Sequence, residues 1–507
     1  MKSILVPWVL VCLVLSAHAS PSAQGRALGR KLSGPLNAAG DVSFFAYSPS
    51  GGRIVYRADA SFDGVDELYS VRDRGQEPAF PLGLSVSVRG IWGLDPGFEI
   101  SPGGRWVVSW SYGGLNYQVR SAELDRAGTA RDLLVGTGIT FAANDLRIAP
   151  QGDQVILRAD LGGQRSLFAR SLDGSGSPRR LTAPGHDVDG FQIAPGGQRI
   201  VYLAQRTLFS VDDSLVSVAL TPAFPFDTHL CSNVISTEGR VVYDYYDDIG
   251  YGVWLDSVPI DGSAPPTTLD YTACGMDLHP AGPWLVYGAA AEIRSVPING
   301  GTLNSLDWPV EEDMHVSPDG ARLLYRAWRQ TKFQLFEVPV NGSALPRRVN
   351  SDLVQGGNVA LLAAYPFSPD GRFTVYTADA EVDGSVELYS VEGTAAPVRL
   401  STHRPGITVD GRFAITPDGA EVVYRADQNT AGVIELYAVP IDGSAHPRRL
   451  NSPLVAGGDV SSFAIDPLGR TVAYRADQDE DEKIELYVSP LGPGYAGAPD
   501  PTRTVTR

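Results

Sequence analysis

The chain has 507 residues, and its 55 glycines and 37 prolines are an excess of turn-formers that excludes a helical bundle. Hydrophobic residues at 43% and charged residues at 20% provide ample material for a core, which excludes a disordered polymer. A formal charge of -17 and a pI near 4.9 offer no attraction to phosphate backbones or anionic lipid, so nucleic acid is excluded as a partner class.

In chain order, Lys2 precedes an apolar run from Ile4 to Leu15, and Ala17-His18-Ala19 precedes the polar Ser20-Pro21-Ser22. These are the three regions of a secretory signal. The run is 12 residues long, short of the ~20 that cross a bilayer, so residues 1–19 are expected to be a cleaved signal peptide, with an uncleaved anchor as the competing reading. No later segment could span a membrane. The mature chain is then periplasmic or secreted, in an oxidising compartment, and keeps Cys231 and Cys274.

From there to residue 490 one unit recurs. Its anchors are Pro49, Pro102, Pro150, Pro195, Thr237, Pro280, Pro318, Pro369, Pro417 and Pro467, spaced 38 to 53 residues apart with a mean of about 46. A glycine stands two residues after every anchor, from Gly51 to Gly469. A strand such as Ser462-Phe463-Ala464-Ile465 runs into Asp466-Pro467-Leu468-Gly469, where proline presets the turn and glycine takes the positive φ. A β-rich run follows (Val422-Val423-Tyr424-Arg425), then a polar loop, then Ile434-Glu435-Leu436-Tyr437-Ala438-Val439. An Asp-Gly or Asn-Gly turn (Asp442-Gly443, Asn341-Gly342) leads to a short basic run, as in Arg448-Arg449-Leu450. Four antiparallel strands make one blade, and blades must stack radially because none can bury its faces alone. The expectation is an all-β propeller of about ten four-stranded blades, with charge on the outer strand guarding the sheet edge and a Gly/Pro-rich tail over residues 491–507.

The tenth copy has no basic strand of its own, while Gly29-Arg30-Lys31-Leu32-Ser33 parallels Pro447-Arg448-Arg449-Leu450-Asn451. Residues 27–34 are therefore expected to close the ring. Ten blades exceed the usual four to eight, so two smaller propellers are the alternative.

These units, clearest in Ser368-Pro369-Asp370-Gly371 and in the strand that ends at Tyr376, resemble the TolB-like propeller repeat, a relative of the WD-type repeat. The resemblance covers residues 27 to about 490. It implies a β-propeller and a role in binding proteins, often in the cell envelope. Thr237-Glu238-Gly239 and Pro280-Ala281-Gly282 depart from the repeat's turn.

Chemistry-bearing motifs are few. No Gly-x-Ser-x-Gly elbow is present, which argues against a propeller-bearing serine peptidase. Of the mature histidines, only His186 and His229 share nearly one register, nine and eight residues before their anchors. The loops between second and third strands are richer. Asp59, Ser61 and Asp63 with Gly64, the matching Asp379, Glu381 and Asp383 with Gly384, then Asp427 and Asn429, then Asp477, Asp479 and Asp481, imitate the start of a calcium loop. The glutamate falls at position 9 rather than 12, so this is no EF-hand, and loop capping is the competing reading. Asp41, Asp187, Asp189, Glu312, Asp313 and Asp459, placed before the turns, are expected on or near the innermost strands, where an acidic channel mouth competes with the reading of solvated strand ends. Cys231 and Cys274 each lie six residues before an anchor, which offers a disulfide between adjacent blades, with two free, buried thiols as the competing reading. Three functions compete: a monomeric binding scaffold for a protein or glycan ligand with no cofactor, a propeller-fold polysaccharide lyase or hydrolase, and a calcium-dependent adhesin or sugar binder.

Overall fold

A computed structural model describes residues 28–492, except 63, 87–96, 113–115, 138–145, 161–162, 226–227, 248–252, 273–277, 290–291, 309–312, 361–364 and 403–405. Residues 1–27, which include the segment read as a signal peptide, and residues 493–507 lie outside these. Every regular element among the described residues is a strand, and no helix there is long and apolar enough to cross a membrane.

Blade 9, counting from the anchor Pro49, shows how the sequence makes the unit. Val409–Ile415, Glu421–Ala426, Glu435–Pro440 and Arg448–Arg449 pair antiparallel in that order. Its second strand reads as a nearly continuous apolar run because both faces are covered. Val422, Tyr424 and Ala426 pack toward blade 8, and Val423 packs toward blade 10. The preceding turn closes on itself: Gly419 N–H donates to the Thr416 carbonyl at 2.8 Å, and Thr416 Oγ1 donates to Asp418 at 2.6 Å. Gly419 has φ +71° and packs over Pro369 of the blade before, so a side chain there would be strained. At the end of the strand, Tyr424 stacks on Tyr437 with centroids 5.6 Å apart. Tyr437 donates to Glu435 at 2.6 Å, and Glu435 accepts from Arg449 on the outer strand at 2.7 Å. The basic outer strand is thus tied inward by a buried carboxylate, a role beyond guarding the edge.

Among the described residues nine sheets have four strands. In blade 8 the strands Phe373–Ala378, Glu387–Glu392 and Val398–Arg399 are joined on the inner side by isolated bridges at Val359 and Phe367. Between the sheets lie ten apolar layers, one for each pair of neighbouring blades. One of them joins blade 10 (Ala473, Leu486, Val488) to blade 1 (Val42, Ile54, Tyr56). Two smaller propellers would lack that layer, so the structure is one ring of ten blades.

Closure uses the expected segment. Arg30 and Lys31 pair with Val488 and Tyr487. Leu32 N–H donates to Leu486 O at 2.7 Å, and Lys31 forms an ion pair with Glu485. Inside the seam, Thr471 donates to Asp73 at 2.6 Å, and Asp73 is buried. Each backbone bond of the closing strand contributes about 0.5 to 1.5 kcal/mol net, and Leu32 adds apolar burial. Deleting residues 20–36 is therefore expected to lower the Tm by several degrees, and an unchanged melting curve would show that the ring does not depend on this strand.

Burial pushes the hydroxyls of Tyr56, Tyr376, Tyr424 and Tyr474 well above the ordinary tyrosine value. The unfolded chain releases these protons at about pH 10. A folded value raised above the unfolded one contributes stability that is complete below about pH 10 and is lost as the pH climbs toward the folded values. Thermal melts taken from about pH 8 to about pH 11 should show Tm falling only above about pH 10, with tyrosinate absorbance appearing together with unfolding. Tyrosinate forming for these residues at about pH 10 in a ring that keeps its β circular dichroism would contradict this.

Candidate functional site

Each blade sends two connections to one face of the ring, the loop from second to third strand and the link from outer strand to the next inner strand. Two-residue turns serve some blades, such as Gln330–Thr331, both residues at positive φ. In blades 8, 9, 10 and 1, which are contiguous across the closure, eight residues separate the strands.

Those four loops are held by their first aspartate in one repeated way. Asp59 accepts the amides of Asp41 (2.7 Å) and Gly64 (3.1 Å), and Asp379 those of Asn358 (2.5 Å) and Gly384 (2.9 Å). Asp427 accepts those of Thr408 (2.5 Å) and Gly432 (3.0 Å), and Asp477 those of Asp459 (2.6 Å) and Glu482 (3.4 Å). One carboxylate oxygen thus fixes the start of the inner strand and the other fixes the loop. The glutamate at position 9 turns inward: Glu67, Glu387, Glu435 and Glu485 accept from Tyr69, Tyr389, Tyr437 and Tyr487. Of the other carboxylates proposed for calcium, Asp383 and Asp481 lie over Gly356 and Gly457, and Asp479 faces Tyr487. Asp63 lies outside the described residues. The candidate ligands are distributed one set to a blade, and no group of three or more His, Cys, Asp or Glu that could hold a metal ion occurs among the described residues.

The acids before the turns join neighbouring blades. Asp41 accepts from Ile484 N–H of blade 10 (2.7 Å), Asp459 from Ile434 N–H of blade 9 (2.6 Å) and Asp187 from Arg165 N–H of blade 3 (3.0 Å). Asn358 serves blade 8 in the same way, accepting from Phe333 N–H at 2.9 Å. Asp189 pairs with Arg165 and Asp313 with Arg326, while Glu312 lies outside the described residues. The expected acidic mouth is in large part a set of latches. Hydrogen bonds from Arg165 hold Asp187 down to about 2.

The inner strands of blades 1, 4, 5 and 10 carry a β-bulge that leaves one residue unpaired six positions before the anchor: Ser43, Asp189, Cys231 and Ser461. A bulge frees carbonyls from the ladder. Arginines of the preceding blade reach some of them: Arg475 Nε donates to Val42 O at 2.7 Å, Arg158 to Val188 O at 3.1 Å and Arg425 to Val460 O at 2.9 Å. Sequence reading missed this use, although Arg425 and Arg475 each follow the strand-two tyrosine and Arg158 follows Leu157 at the same position. Cys231 is disulfide-bonded; Cys274 lies outside the described residues.

The histidines do not share one environment. His186 Nδ1 is 2.9 Å from Tyr202 Oη and its ring packs on Phe209, while His229 stacks on Tyr246. His315 lies 3.8 Å from Asp313, His446 is exposed, and His403 lies outside the described residues.

No family model matches the chain, and no curated protein does. Among solved structures it is similar to Porphyromonas gingivalis dipeptidyl peptidase 4, at 11% identity and TM-score 0.42 over 91% of this chain and 62% of that one. It is also similar to a TolB-type protein from Agrobacterium tumefaciens (17% identity, TM-score 0.28, 45% of this chain and 94% of that one). A third is an oligogalacturonate lyase in complex with manganese (15% identity, TM-score 0.32, 58% of this chain and 87% of that one). At such identities each likeness is one of fold.

Two outcomes check the site. Asp427→Ala leaves two amides without their acceptor, and should cost about 1 to 3 kcal/mol in chelator as in millimolar calcium; a loss confined to calcium-loaded protein would give the loops to the metal. The shared register of Cys231 and Cys274 makes them the expected pair, so denatured mature protein without reductant should show no reactive thiol, and two thiols would refute the bond.

Proposed function

We propose that the chain is an exported, non-catalytic binding propeller, monomeric and periplasmic or secreted, that recognises a protein or glycan ligand on the face carrying its second-to-third-strand loops. The observation that carries this reading is the fourfold use of Asp59, Asp379, Asp427 and Asp477 to hold four successive loops in one shape. Loops ordered in advance lose little entropy on binding, so their contact energy goes into affinity. Their tips expose Phe62, Val65 and Val382 beside acidic side chains, the mixture of apolar anchors and polar surroundings that recognition surfaces use. The leader-like segment at residues 1–19 supports export.

The test is capture from the native exported fraction by the immobilised mature chain. A ligand held by the native ring and lost on Phe62→Asp with Val382→Asp supports the reading, provided the variant melts as the parent does. Turnover of oligogalacturonides, peptides or phosphate esters that disappears on changing His186 or His229 would overturn it in favour of an enzyme.

A further inference from the structure

The face that carries the long loops has a second, lower sector. Only two residues separate Trp284–Ala289 from Glu292–Pro297 in blade 6, and two separate Arg322–Arg329 from Lys332–Pro339 in blade 7. On this sector stand Tyr271, Trp308 and Trp328, exposed by 65%, 66% and 46%. A lone exposed aromatic needs no explanation. These three are held in a way that does.

Tyr271 and Trp308 end the outer strands of blades 5 and 6, and each follows an aspartate with the same bonding. Asp270 Oδ1 accepts from Tyr271 N–H at 2.8 Å, and Asp307 Oδ1 accepts from Trp308 N–H at 2.8 Å. The other oxygen of each takes a tyrosine of the next blade, Tyr287 at 2.8 Å and Tyr325 at 2.6 Å. It also takes an arginine, Arg294 at 2.9 Å and Arg329 at 2.7 Å. Arg329 donates in addition to the backbone carbonyls of Trp308 (3.1 Å) and Trp328 (3.2 Å), so one guanidinium ties the backbone at both tryptophans, and the Trp328 ring is braced edge-on by Phe333 at 4.7 Å. The ring builds the same support on two successive blades, and what each support presents to water is an aromatic side chain.

We propose that Tyr271, Trp308 and Trp328 form a stacking platform for a neutral oligosaccharide, a ligand class that rests on the recognition role proposed above. A pyranose ring offers C–H groups on one face and hydroxyls around its rim. A rigid aromatic face takes the first, and carboxylates and guanidinia beside it take the second. Two arginines stand against three carboxylates, Arg329 against Asp307 and Arg294 against Asp270 and Glu292, so the platform has no excess of positive charge to select an acidic sugar. The three aromatics come from blades 5, 6 and 7, the Arg329–Asp307 ion pair lies at the two tryptophans, and two of the three recur in one register on adjacent blades. That geometry fits a ligand that itself repeats, whereas a protein partner would need a continuous apolar centre.

Native-gel affinity electrophoresis of the full mature chain tests this, with hydroxyethylcellulose, xyloglucan, galactomannan, dextran or soluble starch in separate gels and polygalacturonate as the acidic control. Retardation is expected in at least one neutral gel. Trp308→Ala and Trp328→Ala should each weaken it at least about tenfold, about 1.4 kcal/mol, while Trp308→Phe keeps most of it and all variants melt as the parent does. No retardation in any neutral gel, or retardation by polygalacturonate alone, would overturn the proposal. Loss of a captured protein, rather than of polysaccharide, in the alanine variants would also overturn it. Sugar retention unchanged in both alanine variants would remove the platform while leaving the recognition role standing; failure of the loop-tip capture with sugar retention intact would take the loop tips out of recognition and leave the platform.

Discussion

Every other feature of this protein follows from one constraint: a four-stranded blade with apolar residues on both faces has no stable existence until both faces are covered. In an open stack the first and last blades would each leave one such face in water. The ring removes both ends through the layer in which Ala473, Leu486 and Val488 meet Val42, Ile54 and Tyr56. Closure also explains why the basic strand of blade 10 comes from residues 30–31. A blade that takes three strands from one end of the chain and its outer strand from the other couples the two ends through the seam.

Apolar layers set which blades touch but leave the polar groups at their margins to be satisfied. Bulged inner strands release carbonyls, and loop starts release amides. Arginines take the first and carboxylates the second, repeatedly across a blade boundary, as with Arg425 and Val460 O or Asp459 and Ile434 N–H. A buried amide left without a partner costs more than the bond it would have made returns. The acidity of these loops is therefore in good part structural, and the chain's excess of carboxylates is not by itself a sign of cation binding.

The same accounting separates two kinds of surface on one face. In blades 8, 9, 10 and 1 the side chains nearest the backbone are spent on shaping loops, and what remains for a ligand is their tips. In blades 6 and 7 the connections shrink to two residues, and beside them the ends of the outer strands of blades 5 and 6 come to the surface with Tyr271 and Trp308. A ring of repeated units thus acquires distinct sectors through loop length and the residues at strand ends, while an apolar layer is kept between each pair of neighbouring blades.

The sequence by itself determined the fold class, the ten repeats, the turn chemistry and the closing strand, because these rest on local signals: proline and glycine at fixed offsets, period-two patterning, and Arg30-Lys31-Leu32 matching Arg448-Arg449-Leu450. Blade number as one ring was decided only by packing, since nothing local distinguishes a layer between blades 10 and 1 from two separate seams. The roles of the acids were likewise open. Asp59 reads alike in sequence whether it faces a cation or the amide of Asp41, and Asp41 in turn engages Ile484, 443 residues away. Trp308 and Trp328 look like ordinary strand-end aromatics until Arg329 is seen to join them. Hydrogen-bond partners across a blade boundary are set by the ring's geometry, which no short stretch of chain encodes, and that is why the candidate sites emerged only with the tertiary structure.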